Sequence, residues 1–249
     1  ATYFDDQVSP AEGTSSEEFY QIYHKFGYDQ AVSRASDSLS YVYRLDEKYW
    51  LMMLDSCMCE PVHETGGKLS EETVAWMKTQ LEEAKKQGVT VIPVSHHNLL
   101  DESTLYPEEC TIENTKEVTA LLEAYGVPVY LSGHLHLQRI KKHTSNLNTP
   151  GGYGIREIVT SPLPMAPCQY SILNWQADGS LSYHTKKVDI AGWAQRYGEE
   201  DENLLNFDAY ADQFLVDVIS EQAFKALQSA SKDIKEEMAR LYADMNRDY

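Results

Sequence analysis

Two short apolar runs that both end in histidines constrain this chain more than anything else in it. Val89-Thr90-Val91-Ile92-Pro93-Val94 reads as a buried strand and stops at Ser95-His96-His97-Asn98. Pro128-Val129-Tyr130-Leu131 reads as a second and stops at Ser132-Gly133-His134-Leu135-His136. Strand ends are where α/β folds gather their chemistry, and imidazole is the commonest metal ligand among side chains. Residues one apart on a strand face opposite sides. His134 and His136 can therefore share a crevice only just past the strand's end, where Gly133 loosens the backbone. A lone histidine at a strand end is ordinarily a surface or hydrogen-bonded residue. Two such ends, one of them Gly-His-x-His, shift the balance to a metal centre with His96, His134 and His136 as ligands. His97 is the runner-up, because neighbours on an extended chain diverge and only one of the pair need face the metal. His24, in an amphipathic helical stretch, and His63, His143 and His184, in polar or turn-rich segments, are weak candidates.

The rest of the chain supplies the frame. Residues 1–14 are polar and turn-rich, and Ser15-Ser16-Glu17-Glu18 is a capping box that opens a short helix to about Phe26, ended by Gly27. Residues 38–45 alternate like a strand with one covered face, and 49–54 form a mostly apolar central strand, joined as a hairpin through Asp46-Glu47-Lys48. A helix capped by Ser70, with Glu71 and Glu72 in its first turn, carries the stripe Val74, Met77, Leu81 and Ala84 and stops at Gly88. A long loop (98–111) and a helix ending at Ala124-Tyr125 separate the two histidine strands. Strands over 155–160, 169–175 and 180–187 follow, the last two turned by Ala177-Asp178-Gly179. Strand, helix, strand, helix, strand and then antiparallel hairpins make an α/β domain with a mixed sheet over 1–190. An acidic helical appendage of two or three helices occupies 191–249.

Composition narrows the partners. With 249 residues, a net charge of −18 and an isoelectric point near 4.7, the chain is unsuited to nucleic acid or anionic membrane. No apolar run approaches the roughly 18 residues of a membrane span. A phosphorylated substrate needs local positive charge against this background, which metal ions supply. The peak Glu199-Glu200-Asp201-Glu202 reads as a solvated face. Cys57 and Cys59 stand too close to bridge each other comfortably, and they read with Cys110 and Cys168 as packed or free thiols. The start, Ala1-Thr2-Tyr3-Phe4, reads as the interior of a longer protein.

Three segments in order carry a family resemblance: Leu54-Asp55-Ser56 with Gly66-Gly67-Lys68-Leu69-Ser70 opening a helix that bears Trp76; Val94-Ser95-His96-His97-Asn98; and Ser132-Gly133-His134-Leu135-His136. Over residues 38–189 the chain resembles the second half of the calcineurin-like metallophosphoesterases, close to the bacterial cyclic-nucleotide-phosphodiesterase-like branch. The resemblance implies the C-terminal portion of a four-layer α/β/β/α sandwich holding two metal ions (Mn, Fe or Zn) at its strand ends. It makes His96 and His134 ligands of one ion and His136 a ligand of the other, with His97 and Asn98 on the substrate side or behind the ligands. The implied reaction is hydrolysis of phosphoester bonds of a phosphorylated small molecule by a hydroxide bridging the ions. Relatives of this kind are exported in some bacteria, which makes a cell-envelope location the expectation from resemblance.

The family's Asp-x-His, Gly-Asp and Gly-Asn-His-Asp/Glu motifs do not occur here, and the pair Asp5-Asp6 lacks their context. The expectation is a C-terminal piece with no secure catalytic residue of its own. It binds at most one ion weakly and is inactive alone. It is joined by its N-terminal fragment, or by a second copy, over a sheet face left bare. Two other readings remain open: a non-catalytic binding or assembly module, and a structural mononuclear zinc site at His96, His134 and His136.

Overall fold

A computed structural model describes residues 2–4, 7–9, 13–59, 64–101, 108–143, 154–226, 236–238, 240 and 241. It divides into two compact units, residues 1–134 with 139–159, and residues 135–138 with 160–249.

The first unit opens with β1 (Thr2–Phe4) paired antiparallel to β2 (Gln7–Ser9), in a stretch whose polar composition suggested only turns. In α1 (Ser16–Tyr23) the capping box is formed as expected: Ser15 Oγ accepts from the Glu18 amide while Glu18 reaches back to the Ser15 amide at 2.9 Å. The main sheet of this unit follows, and it is mixed as the element order implied. It runs β3 (Ser33–Arg34), β4 (Tyr41–Arg44), β5 (Tyr49–Met53), β6 (Thr90–Val94), β7 (Val129–Ser132), β9 (Arg156–Val159) and β8 (Arg139–Lys142). Its centre, β5-β6-β7-β9, is parallel, and β3, β4 and β8 are antiparallel to their neighbours. The β4–β5 hairpin is set by Asp46, whose Oδ1 accepts from the amides of Lys48 (2.7 Å) and Tyr49 (2.9 Å).

Two helices cover one face. In α2 (Glu71–Gln87) Ser70 accepts from the Thr73 amide at 2.9 Å, Lys85 and Lys86 complement the last turn, and Gly88 closes the helix at φ 69°. From α2 come Met77, Leu81 and Ala84, and from α3 (Thr115–Ala124) come Val118 and Leu122. They bury against Val42, Trp50, Met52, Val91 and Tyr130 in one core, where each large side chain contributes about 1.5–3 kcal/mol. On the opposite face Tyr41, Tyr43, Leu51, Met53, Val94 and Leu131 are only half-buried.

The sequence did not announce β8. Arg139-Ile140-Lys141-Lys142 has one apolar residue in four, and it pairs as an edge strand whose cations and half-exposed Ile140 suit a sheet border.

In the second unit β10 (Gln169–Trp175) and β11 (Leu181–Lys187) pair throughout their length. Helix α4 (Ile190–Tyr197) starts on the Asp189 cap, which accepts from the Gly192 amide at 2.9 Å. It is followed by α5 (Glu202–Leu205) and α6 (Phe207–Ala226). Gln138 Nε2 donates to Ser171 Oγ at 3.2 Å and to the Tyr183 hydroxyl, and Lys187 pairs with Asp208 at 3.4 Å. No helix among the described residues is long and apolar enough to cross a membrane.

Candidate functional site

Parallel pairing of β6 with β7 brings the two histidine-bearing ends side by side. Val94 is in register with Leu131, and the ladder continues beyond both strands: the Ser95 amide donates to the Leu131 carbonyl (3.0 Å) and the Gly133 amide to the His96 carbonyl (3.0 Å). His96 and His134 emerge as immediate neighbours. His134 Nδ1 lies 3.0 Å from His96 Nε2, with the ring planes 84° apart and centroids separated by 4.9 Å. One ring donates and the other accepts, so the two are not imidazolium together in this arrangement.

The backbone turns at the histidines. Gly133 is not in the left-handed region; His134 (φ 66°) and His136 (φ 56°) are. Histidine tolerates that conformation better than most residues, yet each instance costs about 1–3 kcal/mol. The turn that aims the imidazoles is thus made by the histidines themselves.

His97 bonds to other partners. It is buried, with Nε2 3.0 Å from the Thr65 carbonyl and Nδ1 2.8 Å from Ser56 Oγ. A carbonyl only accepts, so Nε2 carries the proton and, in the neutral ring, Nδ1 accepts from Ser56. Ser56 Oγ in turn accepts from the His97 amide at 3.3 Å. Both ring nitrogens are engaged, while the ring stands 5.1 Å from that of His96 and 4.8 Å from that of His134. Gly67 makes this possible, since a Cβ there would overlap the His97 ring.

Asn98 is fully buried. Its Nδ2 donates to Ser132 Oγ (2.9 Å) and to the Gly133 carbonyl (3.3 Å), while Oδ1 has no hydrogen-bond partner among the described residues. Ser95 donates to the His97 carbonyl at 2.5 Å and accepts from Tyr130 at 2.7 Å. Burial holds the Tyr130 phenol well above the usual tyrosine range.

Sequence reasoning missed Glu157. It sits in β9, is fully buried, and pairs in register with Tyr130. Its Oε1 accepts from the Leu99 amide (2.6 Å) and from Ser132 Oγ (2.7 Å), and its Oε2 from the Leu100 amide (2.7 Å). The available signal was one carboxylate inside a β-branched run.

His96 is also among the residues that line a cleft of about 1300 Å³ in the first unit, with Tyr20, Arg34, Tyr41, Met53 and Asp55. The structure therefore brings together His96, His97, His134 and Asn98. His136 is exposed and belongs to the second unit, in the segment 135–138. His24 bonds Asp29 at 2.9 Å and His143 bonds Glu123 at 2.8 Å. His63, Asp5, Asp6, residues 102–107 of the long loop and most of the chain beyond 226 lie outside the described residues.

Two imidazole nitrogens on one tetrahedral zinc, each about 2.0–2.1 Å from it, stand about 3.3 Å apart. The His96–His134 pair needs to open by only a few tenths of an ångström to match. The pair thus fits two ligands of an ion. Among the described residues no group of three or more His, Cys, Asp or Glu side chains is arranged to hold one, so it does not make a whole set.

Comparison with known proteins adds two findings. Residues 189–249 match the family model described as the C-terminal domain of cyclic nucleotide phosphodiesterase, a match within the second unit that does not reach the histidines. Among solved structures, a dimetal phosphatase from Danio rerio is 14% identical, with a TM-score of 0.38 over 52% of this chain and 52% of that chain. The chain thus spans about half of that protein, and the likeness is too slight to bear on activity. No curated protein matches.

Proposed function

We propose that this chain carries the histidine-rich part of a phosphoesterase site in which metal ions promote hydrolysis of a phosphoester. The observation that supports the reading most is the His96–His134 pair, two imidazole nitrogens 3.0 Å apart at adjacent parallel strand ends. The match of residues 189–249 to a cyclic nucleotide phosphodiesterase domain is consistent with it.

In this reading His96 and His134 hold one ion, and His136 enters as ligand of a second from the sequence pattern alone. When bound, such ions neutralise charge on the transferring phosphoryl group and lower the pKa of water. The chain's own residues orient that chemistry. His97 and Asn98 stand behind the pair, His97 with its tautomer held by Thr65 and Ser56, which fixes the ring against which His134 packs. The cleft that His96 helps to line receives the substrate. The net charge of −18 would repel a phosphate from the site unless cations were held there.

Because two histidines do not complete an ion's ligand set, the chain by itself binds one ion weakly and turns over phosphodiesters negligibly. The test is hydrolysis of bis-p-nitrophenyl phosphate by the 249-residue chain in Mn²⁺ or Zn²⁺. Background rates are expected. Turnover comparable to that of a complete metallophosphoesterase, abolished by His96→Ala, would refute the half-site and leave a self-sufficient enzyme.

A further inference from the structure

We infer that Glu157 is the positioning residue of the His96–His134 pair, a buried carboxylate that ties the loop leaving β6 to the strand end leaving β7. The inference rests on the reading of that pair as the metal-facing element. Each tie is made close to a histidine in sequence. The Leu99 and Leu100 amides that donate to Glu157 lie three and four residues after His96, and Ser132 lies two residues before His134.

Ser132 extends the link, because its Oγ donates to Glu157 and accepts from Asn98 Nδ2, which also donates to the Gly133 carbonyl. Both histidine-bearing segments are therefore referred to one group on β9. The alternative role, filling space in the core, is poorly served by a carboxylate, which is costly to bury unless its hydrogen bonds are made. A leucine of similar volume would pack against Tyr130 without that demand. What only the carboxylate can do is accept from two successive backbone amides and a hydroxyl at once. His134 also holds a left-handed backbone conformation, which persists only when its surroundings over-determine it.

Glu157→Gln keeps the shape but turns an NH₂ towards donors, so one arm of the clamp opens. In the full chain with ¹⁵N-labelled histidine, the ring resonances of His96 and His134 should shift, while those of His24, His143 and His184 stay in place. Unmoved His96 and His134 rings in a folded Glu157→Gln chain would overturn the inference. If that variant fails to fold, Ser132→Ala decides in its place. It removes the strand end's bonds to Glu157 and to Asn98 while the Leu99 and Leu100 amides keep the carboxylate, and the His134 ring should move; an unmoved ring overturns the inference.

Zinc affinity provides a second readout. Glu157→Gln should lose about tenfold or more, the usual effect of removing a group that orients metal ligands. Leu122→Ala, which destabilises the core but removes none of the hydrogen bonds of Glu157, should bind zinc as the parent does. Equal losses in the two variants would reduce Glu157 to a structural role. A parent chain that binds no zinc defeats the phosphoesterase reading but leaves the ring-resonance test of the clamp intact.

Discussion

Gly67→Ala should be among the most damaging single-methyl additions this chain can suffer. The added Cβ falls on the His97 ring, which is only 3% exposed and bonded at both nitrogens. The ring can yield only by releasing Ser56, Thr65 or both, and each buried group left unpaired costs about 1–3 kcal/mol. Against this, alanine lowers the entropy of the unfolded chain, a gain of about 0.4–1 kcal/mol, since Gly67 does not have a left-handed backbone. The steric term wins, and the net loss is about 2–4 kcal/mol. That lowers the thermal midpoint by about 6–12 °C at the sensitivity usual for units of this size. Urea and thermal melts followed by far-UV circular dichroism and by the fluorescence of buried Trp50, which is in the same unit, measure it. A Gly67→Ala chain within about 0.5 kcal/mol of the parent, or more stable, would show that His97 moves freely and is not wedged as described.

Two further predictions follow from backbone and burial. At His134, with φ 66°, glycine should be more stable than alanine by about 1 kcal/mol although both remove the ring; equal stabilities in urea would mean the left-handed turn is not imposed. Burial raises the Tyr28 phenol to about 12, with Tyr41 and Asp55 adding to the shift, and burial raises Tyr41 as well. The unfolded chain then gives up these protons first, so their stabilisation is complete below about pH 10 and is lost as pH climbs towards about 12. Urea midpoints should fall over that window, and Tyr28→Phe should flatten the fall; a parent profile identical to that of Tyr28→Phe would contradict it.

The parts of the fold that were legible are those whose physics is local or strongly periodic. Ser15 and Ser70 cap their helices because each side chain needs only its own first turn. The strands that became β5, β6 and β7 are apolar runs that only a covered sheet tolerates. The strand β8 was hidden because an edge has no need of apolar residues, and its partner β9 is separated from it by a long connection.

The site divides in the same way. His96, His97 and His134 could be read from where their strands end, and Gly66-Gly67 stood out as part of a motif, though the contact between Gly67 and His97 spans thirty residues. Glu157 could not be placed, because the amides it serves belong to a loop 57 and 58 residues earlier. The left-handed backbone at His134 and His136 has no sequence signal, because it falls on histidines where glycine would adopt it most cheaply.

Zinc titration of the parent chain beside His96→Ala, His134→Ala and His143→Ala puts the central claim to its most direct test. One ion per parent chain, bound weakly, lost in His96→Ala and in His134→Ala and retained in His143→Ala, is the predicted result. A parent that takes up no zinc, or single variants at 96 and 134 that bind as the parent does, would contradict it.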